Sequence, residues 1–124
     1  MKRSQKTLVC VLAILLITVF TVGAQGARED RPRVIGISKI VSHPALDVVE
    51  QGIQDELIEQ GFDFQFDLQN ANGDFGAASQ IAGKFRTERV AYAVGIATPT
   101  SQALVNEIID IPVIYSAITD PVAA

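Results

Sequence analysis

The chain is poor in the residues on which metal, redox and acid–base chemistry usually rest. Among 124 residues it has one cysteine, one histidine and no tryptophan. A single cysteine cannot build a disulfide scaffold, and nine glycines exclude a collagen repeat. Cations are also few where a fold would form. Lys2, Arg3 and Lys6 fall in the first 24 residues, which hold no acid, so the other 100 residues carry 7 cations against 14 acids, a formal charge of −7. No basic stripe exists to neutralise phosphates, and a nucleic-acid partner is not expected. The length allows one small domain at most, and no internal repeat or low-complexity run is visible.

The first segment has the layout of a secretory signal. Met1–Lys6 is cationic, Leu8–Ile17 is an unbroken apolar run extended by Val19, Phe20 and Val22, and Val22-Gly23-Ala24 offers tolerated residues at −3 and −1 of a cleavage site. Cys10 sits at the start of the apolar run with no small residue before it, so it reads as an ordinary residue of that run rather than a lipid acceptor. Removal of residues 1–24 leaves a chain with no thiol, which suits an oxidising compartment. Residues 25–33 are polar and charged and read as a flexible leader.

Helix and strand signals then alternate. Val34–Ser38 is a short apolar run and predicts a first strand. Ser42 or His43 then caps a helix with Pro44 in its first turn and an apolar stripe of Leu46, Val49, Ile53 and Leu57; Gly61 stops it. Glu50, Asp55, Glu56 and Glu59 lie off the stripe and predict a solvated face. Phe62–Leu68 alternates strictly, as a strand covered on one face would, and belongs at a sheet edge. Three phenylalanines at period two also suit a stacking platform for bases or sugars, but apolar helices on both sides favour a core-facing strand. Asp74 caps a second helix with the stripe Phe75, Ala78, Ala82 and Phe85, or Ile81. Val90–Ala97 is a continuous apolar strand. Thr98-Pro99 opens a third helix carrying Leu104, Val105 and Ile108; Ile111–Ser116 is a fourth strand, and Thr119-Asp120-Pro121 has the shape of another helix start. The alternation predicts an α/β fold: a parallel sheet of order 2-1-3-4 with right-handed crossovers and flanking helices.

Ligands of open parallel sheets bind beyond the carboxyl ends of the strands. Those ends bring forward Ser42, His43, Asn70, Thr98, Thr100, Ser101, Thr119 and Asp120 as candidate ligand-binding residues. Helix entrances present backbone N–H groups suited to a carboxylate, the hydroxyls donate or accept, and Asp120 suits an ammonium. One rim thus offers partners for both ends of an amino acid. Each of these residue types also serves simply as a helix cap. Catalysis finds little support. With His43 the one histidine, a His/Cys metal site is out of reach, and a serine nucleophile would need His43 as base without any G-x-S-x-G. Neither G-x-x-x-x-G-K-[ST] nor G-x-G-x-x-G is present, and no acidic pair follows the first strand as in a receiver domain. No metal, cofactor or enzymatic activity is expected.

Val34-Ile35-Gly36-Ile37 with Ser42-His43-Pro44-Ala45-Leu46-Asp47 resembles the opening of the tryptophan/tyrosine-type solute-binding proteins of ABC transporters. So do Asp67–Asp74, Gly95-Ile96-Ala97-Thr98-Pro99 with Gln102-Ala103-Leu104, and Ile111-Pro112-Val113 through Ser116–Val122. The resemblance covers essentially all of residues 33–124. It implies a type I periplasmic-binding-protein fold, in which two Rossmann-like lobes close on a solute at their hinge. It also implies delivery of an amino acid, an aromatic one foremost, to a membrane permease driven by a separate ATPase, outside the cytoplasm in the periplasm or extracellular space. Family members are considerably longer, so the expectation is a truncated amino-terminal lobe over residues 34–124. A second expectation, of another class, is an envelope sensory domain anchored by residues 7–22.

Overall fold

The computed structural model describes residues 33–120. The basic and apolar leading segment, all of the leader but Arg33, and the end from Pro121 lie outside them. The elements are β1 (Val34–Lys39), α1 (Pro44–Glu59), β2 (Gln65–Asn70), α2 (Phe75–Glu88), β3 (Tyr92–Ile96), α3 (Thr98–Glu107) and β4 (Val113–Ser116). The strands form one sheet of order β2-β1-β3-β4, and every pairing is parallel. This is the expected architecture.

Local chemistry sets most boundaries. The His43 imidazole Nδ1 accepts the Ala45 amide at 3.2 Å, and Pro44 at the first helical position needs no partner for an N–H it lacks. Gly61, with φ of 78°, ends α1: its N–H reaches the Ile58 carbonyl and that of Phe62 the Leu57 carbonyl, both at 3.0 Å. This is the paired closure that a left-handed residue after the cap permits. At α2, the Asp74 carboxylate accepts the Ala77 amide at 3.0 Å.

Side chains of alternate parity divide the sheet into two faces. Ile35, Ile37, Val94 and Ile96 face α1, with Leu46, Val49, Ile53, Leu57, Phe64 and Phe66 packed on them. Ala93 lies on the other face with Ala78, Ala82 and Phe85 of α2 and Ala103 and Leu104 of α3. There the helices sit close to the strand backbones. A Cβ at Gly36 would lie 2.8 Å from the Phe85 ring, and one at Gly95 would lie 2.7 Å from the Ser101 Cα. The α1 face is thinner: α1 has no fully buried residue. A groove of about 630 Å³ opens beside it, lined by Arg33, Ile53, Leu57, Phe64, Tyr92 and Ile114 among others.

Several expectations shift, among them the third and fourth strands, which are Tyr92–Ile96 and Val113–Ser116 rather than Val90–Ala97 and Ile111–Ser116. β2 starts at Gln65 rather than Phe62, because the ladder begins where Val34 faces Gln65; Phe62 is 54% exposed, while Phe64 and Phe66 are partly buried against the core. Phe75 and Val105 leave their predicted stripes and are 68% and 44% exposed. Glu50 leaves the solvated face, for its side chain is 13% exposed and bonded to Lys39.

Candidate functional site

Parallel pairing carries all four strand ends to one edge. Lys39 lies in register with Asn70 on one side and Ile96 on the other, and Ile96 with Ser116. The residues that the sequence singled out lie at or just beyond this row, Asn70 at the end of β2, Ser42, His43, Thr119 and Asp120 in loops, and Thr98, Thr100 and Ser101 in the first turn of α3. They differ in what their side chains are free to do.

Ser42 and His43 are exposed on the β1–α1 loop. The Ser42 hydroxyl meets the Asp47 carboxylate at 3.1 Å, while the His43 Nδ1 is engaged by the Ala45 amide. Although adjacent, the two do not form a nucleophile–base pair. Asn70 is half-buried and its Oδ1 accepts the Asn72 amide at 2.8 Å, which closes the turn after β2. Thr98, half-buried at the start of α3, accepts the Thr119 amide at its Oγ1 at 3.3 Å and so links the loops after β3 and β4. Thr119 and Asp120 are exposed.

Thr100 and Ser101 are engaged differently. Both are buried, the Thr100 hydroxyl donating to the carbonyls of Ile96 at 2.7 Å and Ala97 at 3.0 Å, and that of Ser101 to Ala97 at 2.9 Å and Gly95 at 3.2 Å. Their hydroxyls stabilise the turn from β3 into α3 and are buried against its carbonyls. That turn is distorted: Ala97 has φ of 80° and ψ of 158°, and no side chain caps α3. An uncapped helix entrance aims backbone N–H groups and the positive dipole end outward, where an anion finds them.

Lys39, Asp47 and Glu50 were not among the sequence candidates. The Lys39 ammonium lies 2.6 Å from Asp47 Oδ1 and 2.9 Å from Glu50 Oε1. The hydrogen bond from Lys39 holds the Asp47 carboxyl below its usual range, with the Ser42 hydroxyl adding to it, and the Asp47 hydrogen bond in turn raises the Lys39 ammonium. A usable signal was present: Lys39 shares parity with Ile35 and Ile37, and carboxylates three residues apart in the next helix share a face. Among the described residues no group of three or more His, Cys, Asp or Glu side chains could hold a metal ion, and no helix is long and apolar enough to cross a membrane.

Comparison with known proteins follows the same outline. A tyrosine-binding protein of Clostridioides difficile is 39% identical over 94 residues, which are 73% of this chain and 27% of that protein. Among solved structures, the ligand-free, open form of a substrate-binding protein with adhesive properties from Clostridium difficile superposes with a TM-score of 0.71 at 38% identity, covering 73% of this chain and 32% of that one. A Streptococcus pneumoniae ABC domain in complex with L-Trp gives 0.67 at 41% identity, covering 71% and 30%. The chain thus spans about a third of the length of the proteins it matches. The family model described as ABC transporter substrate binding protein matches residues 34–124, and the chain belongs to that family.

Proposed function

We propose that the chain is the amino-terminal part of an extracytoplasmic receptor that binds an amino acid, an aromatic one foremost, for an ABC importer. The observation that carries this reading is the α3 entrance: no side chain caps it, Ala97 opens it, and the Thr98 hydroxyl flanks it. A carboxylate docks there against the Thr98 amide. Asp120, on the next loop of the same rim, faces the ammonium, and Ser42, His43, Asn70 and Thr119 border the solute. The likeness to a tyrosine-binding protein and to a domain holding L-Trp supports an aromatic side chain between them. In this reading the rim is one half of a cleft that a second lobe closes, which removes the solute from water. A membrane permease and a separate ATPase receive the solute, residues 1–24 direct export and are cleaved near Ala24, and the protein performs no chemistry on what it binds.

The missing tryptophan makes the test direct. Excited at wavelengths that spare tyrosine, L-tryptophan is the sole emitter in a mixture with this chain. Its anisotropy is expected to rise on titration with protein and to fall when L-tyrosine competes. No thermal shift across the amino acids in a full-length protein that carries both lobes would sink the assignment. Mass spectrometry of the exported protein separates the two cellular forms: a new terminus near Gln25 fits the receptor, and an intact residue 7–22 segment in the membrane fraction fits the anchored sensor.

A further inference from the structure

α1 is held to the sheet differently from α2 and α3. None of its residues is fully buried, so apolar contact alone fixes its angle and height weakly. Yet its start fixes the loop that presents Ser42 and His43 at the rim. What holds that end is the ion cluster. Lys39, on the α1-facing side of the central strand, reaches Asp47 in the first turn and Glu50 one turn on. Asp47 also takes the Ser42 hydroxyl. The chain from Lys39 through the Asp47 carboxylate to Ser42 therefore closes a ring around the loop that leaves β1.

As a stabilising device this cluster is poor. Two carboxylates share one ammonium; the Lys39 and Glu50 side chains are 12% and 13% exposed, and Glu50 Oε2 is buried without a hydrogen-bond partner. Partly buried charge with an unsatisfied oxygen costs desolvation that apolar side chains of similar size would avoid. What such a cluster supplies is a defined geometry. Accordingly, we infer that Lys39 is a positioning residue of the rim: through Asp47 and Glu50 it sets where the Ser42–His43 corner stands relative to the ends of β1 and β3. The inference rests on the reading of that rim as the solute-binding surface.

The test compares Lys39→Met and Lys39→Arg in the full-length protein with both lobes, by amide hydrogen exchange and by L-tryptophan titration calorimetry. In Lys39→Met the amides of Ala45, Leu46 and Asp47 are expected to exchange about tenfold faster, while those of Phe85 and Leu104 keep their protection. L-tryptophan affinity falls about tenfold in the same variant, and Lys39→Arg restores both readouts to within about threefold, since a guanidinium keeps the positive charge and has donors for both carboxylates. Equal acceleration at the core amides, unchanged exchange near Ala45, or unchanged affinity in a variant with faster exchange overturns the inference. If Lys39→Met does not fold, Asp47→Ala breaks the ring while sparing the Glu50 contact and is judged by the same criteria. A wild-type full-length protein with both lobes that ignores both L-tryptophan and L-tyrosine overturns the solute reading instead, and the exchange arm still decides whether Lys39 sets the loop.

Discussion

Ala97 shows how much of the candidate site is backbone. Its dihedrals fall in a region that is nearly restricted to glycine, yet its N–H reaches the Ser116 carbonyl at 3.0 Å and its carbonyl collects the Thr100 and Ser101 hydroxyls. These bonds over-determine the turn and hold the strain. Ala97→Gly should relieve about 1–3 kcal/mol of strain against about 0.5–1 kcal/mol of added chain entropy. A net gain near 1 kcal/mol is expected, read as a higher urea midpoint with an unchanged slope. Gly95→Ala should do the opposite, since its methyl would strike the Ser101 backbone; a loss of about 1–3 kcal/mol by denaturant titration is expected. Legibility at this scale was uneven. That Thr98, Thr100 and Ser101 belong to a helix entrance follows from Thr98-Pro99, but which hydroxyls turn inward depends on the φ of Ala97, which no residue type at that position announces.

At the scale of elements, alternation of apolar runs with helical stripes was enough to order the sheet. Continuous apolarity marks β3 as covered on both faces, and the alternating Phe64-Gln65-Phe66 marks β2 as an edge. What the pattern could not supply was where pairing starts. β2 begins at Gln65 because its partner begins at Val34, a fact about a strand some thirty residues away. The Phe75 error has a similar origin. Position one of α2 obeys the helical spacing, but Ala78, Ala82 and Phe85 already span the sheet, and Phe75 extends past it into solvent. The caps were readable because they are local. Removing one gives a clean prediction: Asp74→Ala should cost about 1 kcal/mol through the lost bond to the Ala77 amide, seen as a lower melting temperature. L-tryptophan affinity should not change, because Asp74 lies outside the proposed set of solute contacts.

For the whole molecule, acid should act through two carboxylates. Asp47 is held low by its hydrogen bond from Lys39. Burial pushes the Asp67 carboxyl up, but hydrogen bonds from Lys84 and Gln69 outweigh it and the net shift is downward. A carboxyl whose folded pKa lies below its unfolded value contributes stability that is complete above the unfolded value, near pH 4, and is lost as pH falls through the folded one. The melting temperature should therefore decline as pH is lowered below about 4, and Asp67→Asn should flatten that decline. The rim was legible as a place, because strand ends of a parallel sheet converge whatever their sequence. Its supports were not, since Glu50 reads as one more charge on a wet helix until the register of Lys39 is known. The groove beside α1 has a physical cost of its own. It leaves apolar side chains of the sheet and of Phe62, which is 54% exposed, open to water, next to the edge strand β4 with Ile114 and Tyr115 half exposed. Apolar surface beside a strand that, among the described residues, pairs on one side only is sticky, and the main counterweight is mutual repulsion of chains that carry excess negative charge. Salt screens that repulsion within roughly 10 Å at 0.1 M and strengthens apolar association when it is sulfate. Light scattering should accordingly show clustering that grows with protein concentration and with added sulfate, and charge-adding changes such as Ile114→Lys should suppress it.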